Sequence, residues 1–70
     1  MLGTVRFYNR ERGYGFIEDN KDGNNYFCHV SQIPDGVLRK GYLVDFQIYY
    51  DKKRDIVMAQ NVFVVDSRRR

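Results

Sequence analysis

Arg12-Gly13-Tyr14-Gly15-Phe16-Ile17 decides how the rest of this 70-residue chain is read. Taken as a strand, the stretch sends alternate side chains to opposite faces. Tyr14 and Phe16 then share one side, Gly15 and Ile17 the other. Arg12, with Arg10 just before it, stands at the entrance. A strand that keeps its aliphatic residue for one face and sets two rings beside fixed positive charge on the other is a poor core pattern. It suits a surface on which unpaired bases stack while cations meet the phosphates.

Working outward, residues 2 to 9 read as a first strand rich in Val, Phe and Tyr, followed by polar residues 9 to 12 and a hinge at Gly13. The second strand runs from Tyr14 to about Glu18. Residues 19 to 25 are a turn by composition, with Asp22-Gly23 supplying a position tolerant of positive φ. Tyr26 to Val30 is the third strand. Ser31 is placed to cap a single helical turn through Ile33; Pro34 weakens any longer helix, and Asp35-Gly36 reads as a turn. Leu38 packs inward while Arg39 and Lys40 face water. Tyr42 to Tyr50 has the cleanest alternation in the chain, with Val44, Phe46 and Ile48 on a buried face and Asp45, Gln47 and Tyr49 opposite. Residues 51 to 55 form a charged hairpin loop, and Ile56 to Val65 the fifth strand. Ser67 and Arg68 to Arg70 are expected to fray. One domain, residues 1–66, is therefore expected, with residues 67–70 as a basic C-terminal tail.

No stretch supports a helix of more than about one turn. Five short strands without a crossover helix must bury one face of an antiparallel sheet. In so short a chain, closing that sheet buries the face and removes exposed edges. The expected fold is all-β, a five-stranded antiparallel barrel of the partly open, oligonucleotide-binding (OB-fold) class.

Composition bounds the function. The net charge is +3, from 12 basic and 9 acidic residues, and it is unevenly spread. Residues 1–17 hold Arg6, Arg10 and Arg12 against Glu11, and the last three residues are all arginine. Residues 18–66 carry eight acidic against six basic side chains. The excess at the first end coincides with the aromatics. One cysteine, Cys28, rules out an internal disulfide and a multi-cysteine metal framework. The start of the chain lacks a basic-then-apolar leader, and no apolar run approaches the ~20 residues of a membrane span. Cytoplasmic residence is the default. There is no phosphate-binding glycine loop, nucleophile elbow or paired metal-ligand spacing, and one histidine with one cysteine gives a triad or zinc site little to work with. Neither an enzyme nor a cofactor is expected.

The rings form a constellation across three strands: Phe7 or Tyr8 on the first, Tyr14 and Phe16 on the second, Phe27 and His29 on the third. Strand aromatics ordinarily pack in cores. Here Val5, Ile17, Val44, Phe46, Ile48, Val57 and Val62 already supply an interior, and so small a barrel cannot also hold all eleven rings. Those that alternate against Ile17 are the natural outer set. Cys28 points away from His29, which disfavours a nucleophile pair and makes Cys28 a small buried hydrophobe. Asn9 and Lys21 are turn residues first.

These residues resemble the bacterial-type cold-shock domain family. That family opens Gly-x-Val-Lys-Trp-Phe-Asn, read here as Gly3-Thr4-Val5-Arg6-Phe7-Tyr8-Asn9. Its first nucleic-acid motif, Lys-Gly-Phe-Gly-Phe-Ile, stands as Arg12 to Ile17. Its second, Val-Phe-Val-His-Phe-Ser, stands as Tyr26-Phe27-Cys28-His29-Val30-Ser31. Leu38 to Gly41, Val44, Phe46 and Ala59-Gln60-Asn61-Val62 continue the match to the end of the chain. An RNA-recognition motif is excluded, since it needs two helices and the opposite motif order. The resemblance implies an OB barrel that binds single-stranded RNA and DNA without strong sequence preference and acts as an RNA chaperone. Carried over residue by residue, its nucleic-acid-binding set is Arg6, Phe7, Tyr8, Tyr14, Phe16, Phe27 and His29, with Asn9 and Arg12 at the rim and Val30 beside them. Phe7 replaces the family's tryptophan, Val30 replaces an aromatic, and the loop from Ile33 to Leu38 is shorter and lacks its ring, leaving Val37. That end of the platform is expected to be weaker. A monomer is expected, with a strand-exchanged dimer through residues 34–37 or an ordinary dimer as alternatives. A protein-interaction module on the same barrel is the competing function.

Overall fold

The computed structural model describes residues 1–34 and 36–67. Five strands follow in order: β1 (Leu2–Asn9), β2 (Tyr14–Asp19), β3 (Asn25–His29), β4 (Leu43–Asp51) and β5 (Ile56–Asp66). A single 3-10 turn, Val30–Gln32, follows β3. The strands close into a barrel in the order β1-β2-β3-β5-β4. This is the expected five-stranded OB barrel, with two corrections. The barrel is closed, and β3 meets β5 in parallel through Phe27↔Met58 and Cys28↔Ala59, whereas every other pair is antiparallel. Parity explains the parallel pair. The connection between Ile33 and Tyr42 carries β4 to the far side of β1, antiparallel to it. Then β5, antiparallel to β4, must run the same way as β3.

The core is Val5, Ile17, Cys28, Ile33, Leu38, Val44, Phe46, Ala59 and Val62. Each strand contributes to it, and the β3–β4 connection adds Ile33 and Leu38 as apolar plugs. Burying a side chain of this size stabilises by about 1.5–3 kcal/mol relative to leaving it exposed. Two expected members are absent. Ile48 and Val57 are 41% and 42% exposed. Ile48 pairs with Ala59 and Tyr50 with Val57, so both lie on the expected side of the hairpin. The cover is missing there, because β1 pairs with β4 only at Leu43–Asp45 and β3 with β5 only at Met58 and Ala59. The end of the β4–β5 hairpin runs on past its neighbours.

The turns follow the local chemistry. Gly23 sits at φ 77° and donates to the Asp19 carbonyl, while the Asp19 carboxylate accepts from Lys21 N–H at 2.8 Å. Gly36, at φ 71°, donates to the Ile33 carbonyl; Asp35 lies outside the described residues. The helical turn starts two residues earlier than expected, its cap being His29 in place of Ser31. The His29 Nδ1 accepts from the Ser31 N–H at 3.1 Å. Arg68 to Arg70 lie outside the described residues. Among the described residues, no helix is long and apolar enough to cross a membrane.

Candidate nucleic-acid interface

β2 presents Tyr14 and Phe16 outward, with Gly15 and Ile17 buried, as its alternation requires. β3 pairs with it so that Tyr14 faces His29 and Phe16 faces Phe27. β1 needs an irregularity to join them. Val5 pairs with Ile17 but Phe7 with Phe16, so Arg6 is an extra residue on β1, a β-bulge. Strict alternation from the buried Val5 would send Phe7 into the core. The bulge instead leaves Arg6 and Phe7 both exposed and turns Tyr8 inward, where it packs against the core. This settles which of the two adjacent rings joins the outer face.

Four rings then form one connected surface. Phe7 stands 5.8 Å from Tyr14 and 6.5 Å from Phe16, centroid to centroid. Tyr14 stacks on Phe27 at 5.8 Å with 21° between planes. Phe16 meets Phe27 edge-on at 5.9 Å and Tyr14 at 6.4 Å. Phe7 and Phe16 are exposed, Tyr14 and Phe27 half-buried between them.

Two glycines make the face possible. A Cβ on Gly15 would lie 2.3 Å from the Phe7 carbonyl oxygen and 2.8 Å from Tyr8 Cδ1, so only glycine lets β1 cross β2 this closely. Gly13 takes φ 71°, closing the β1–β2 turn through a bond from its N–H to the Asn9 carbonyl and accepting from Val30 N–H, both at 2.8 Å. Val30 is thereby pinned over Gly13, exposed at the margin of the rings.

Three arginines flank the rings on the chain, Arg6 at the β1 bulge and Arg10 and Arg12 in the β1–β2 turn. Arg6, Arg10 and Arg12 are exposed, and among the described residues no ion pair engages them; the two present are Met1–Asp45 and Arg54–Asp51. Asn9 orders the turn that carries two of these arginines, its Oδ1 accepting from Arg12 N–H at 3.1 Å. The Asn9 amide oxygen is thus engaged within the protein. His29 is exposed, and its Nδ1 is held by the Ser31 backbone and faces the Ser31 hydroxyl at 2.9 Å. In the neutral ring the proton therefore sits on Nε2, which is left as a donor beside the rings. Of the ten expected binding residues, nine lie on this face or its rim. Tyr8 alone is turned away, and burial pushes its phenol pKa up, with Cys28 adding and Arg10 opposing.

Cys28 is fully buried, and burial pushes its thiol up to about 11. A protonated thiol is a poor nucleophile and a poor metal ligand. No cluster of His, Cys, Asp and Glu that could hold a metal occurs among the described residues.

A closed five-stranded barrel with a continuous outer ring face beside exposed arginines defines an OB-fold of the oligonucleotide-binding kind. The chain belongs to the cold-shock domain family: it matches the 'Cold-shock' DNA-binding domain over residues 1–65. It is 40% identical over 63 residues to "Cold shock-like protein CspA" of Stigmatella aurantiaca, covering 86% of this chain and 90% of that relative. It is 45% identical over 51 residues to "Cold shock-like protein CspC" of Bacillus cereus, covering 69% and 77%. Over 66 residues it is 35% identical to "Cold shock-like protein" of Aquifex aeolicus, covering 90% and 91%.

Proposed function

We propose that residues 1–66 bind single-stranded RNA and DNA with little sequence preference, with residues 67–70 as a basic appendage, and that the protein acts in the cytoplasm as an RNA chaperone. The observation that carries this reading is the connected set Phe7, Tyr14, Phe16 and Phe27, turned outward beside Arg6, Arg10 and Arg12. A hydrophobic core has no use for rings in that position, while an unstacked base does. Every base has a π-face, so stacking tolerates any sequence; duplex bases already stack on each other and are not available. Chaperoning follows by mass action, because a protein that binds only the open strand shifts a weak hairpin toward it without ATP. His29 Nε2–H, Arg6 and Arg12 supply the polar contacts at the edge of the rings.

A short RNA hairpin labelled with a fluorophore and quencher at its ends tests the reading. Wild-type protein is expected to raise the fluorescence saturably without nucleotide triphosphate. Phe16→Ala is expected to raise it far less at the same concentration. A signal that needs triphosphate, or one that Phe16→Ala reproduces in full, contradicts the proposal.

A further inference from the structure

The row of outward residues does not stop at β3. Phe7 pairs with Phe16, Phe16 with Phe27, Phe27 with Met58, and Met58 with Tyr49, so each of the five strands places one residue in line. Directly paired residues project from the same side of a sheet. Met58 is only 8% exposed and forms a low apolar step, whereas Tyr49 beyond it is 48% exposed. Strands lie about 4.8 Å apart, which puts Tyr49 roughly 10 Å along the sheet from Phe27, within the reach of another nucleotide or two of extended chain.

A cleft of about 330 Å³ joins the two regions. Its lining includes His29, at the edge of the ring face, together with Tyr49 and Met58. The amides of Gln32 and Gln60 and the guanidinium of Arg54 complete it. A ring to stack on, amides that both donate and accept, and a cation together match a nucleobase and its phosphate. Asp51 also lines the cleft, but its carboxylate accepts from the Lys53 and Arg54 backbone N–H groups at 3.0 and 3.3 Å and faces Arg54 Nε at 3.8 Å. Its charge is therefore partly answered from within the hairpin.

We propose that this cleft is a further nucleotide site, in which a base stacks on Tyr49 when the bound single strand is long enough to continue past His29. The proposal rests on the ring face being a single-strand platform. It extends that platform onto the overhanging end of the β4–β5 hairpin, which compensates for the ring missing at Val30 and in the short loop after Ile33.

Anisotropy titrations with fluorescent oligo-dT of four and of eight nucleotides test it. Tyr49→Ala is expected to leave four-nucleotide binding within about twofold and to weaken eight-nucleotide binding about 5- to 100-fold. Tyr49→Phe, which keeps the ring, is expected to behave as wild type. Arg54→Gln is expected to flatten the salt slope for the longer strand alone by about 0.7. Phe16→Ala is expected to weaken both lengths. Unchanged eight-nucleotide binding in Tyr49→Ala, or an equal loss at both lengths, overturns the site while leaving the ring face standing if Phe16→Ala still weakens both. Wild-type protein that binds neither length removes the platform, and this site with it.

Discussion

At the scale of the residue, position on the sheet decides what a ring does, and composition does not. Phe63 is exposed like Phe7 and Phe16, yet it pairs with Asp45 on the β4–β5 side and makes none of the ring contacts. Phe16→Ala and Phe27→Ala are each expected to cost about 1–3 kcal/mol of single-strand binding, and Phe63→Ala close to none. Equal losses in all three, by titration, would mean that folding and not stacking is being measured. Cys28 makes a separate prediction. Its folded pKa of about 11 lies above the ordinary 9.0, so the folded chain holds this proton more tightly than the unfolded one. The stabilisation is complete below pH 9.0 and disappears as pH rises toward about 11. Denaturant midpoints should therefore fall over that window in wild type and fall less in Cys28→Ala. An identical decline in the two would contradict the linkage. Tyr14, Phe16, Phe27 and His29 were legible from alternation alone, because β2 and β3 pair without a break. The choice between Phe7 and Tyr8 was not, since it depends on an extra residue at Arg6 that only the register with β2 reveals.

At the scale of the element, the strands were legible to within a residue or two, and their pairing partly so. β1 and β2 are held together by an absence of side chain. Gly15→Ala would force a Cβ against the Phe7 carbonyl 2.3 Å away, parting the two ring-bearing strands. A loss of about 3 kcal/mol or more is expected, seen as a drop of about 10 °C or more in melting temperature. A change of a degree or two would show that the strands do not approach as closely as described. The β4–β5 hairpin supplies the opposite case. Alternation put Ile48 with Val44 and Phe46 correctly as to side, but whether a side is covered depends on where the neighbouring strands end. That information lies in tertiary pairing, beyond β4 itself. Ile48→Thr is accordingly expected to shift stability by no more than about 0.5 kcal/mol, while Val44→Ala, at full burial, should cost about 1–3 kcal/mol in the same urea titration.

At the scale of the whole molecule, a barrel closed by one parallel pair leaves its ring-bearing face on β1, β2 and β3 and keeps the aliphatic residues inside. The sequence carries the reason for closure, a chain too short to bury a sheet otherwise, but not the strand order. That order follows from where the β3–β4 connection crosses, and nothing in its composition says so. Four rings at about 1–3 kcal/mol each, with several phosphate contacts, reach the ~8 kcal/mol of micromolar binding after association costs are met. Three exposed arginines imply a salt slope near −2, so affinity should fall about tenfold or more between roughly 50 and 200 mM salt. The most direct test is a titration of fluorescent oligo-dT at those two salt concentrations, with wild type beside Phe16→Ala. Saturable, salt-weakened binding in the micromolar range or tighter that Phe16→Ala weakens about 5- to 100-fold is the predicted result. No saturable binding at tens of micromolar protein in low salt, or binding indifferent to Phe16, would contradict it.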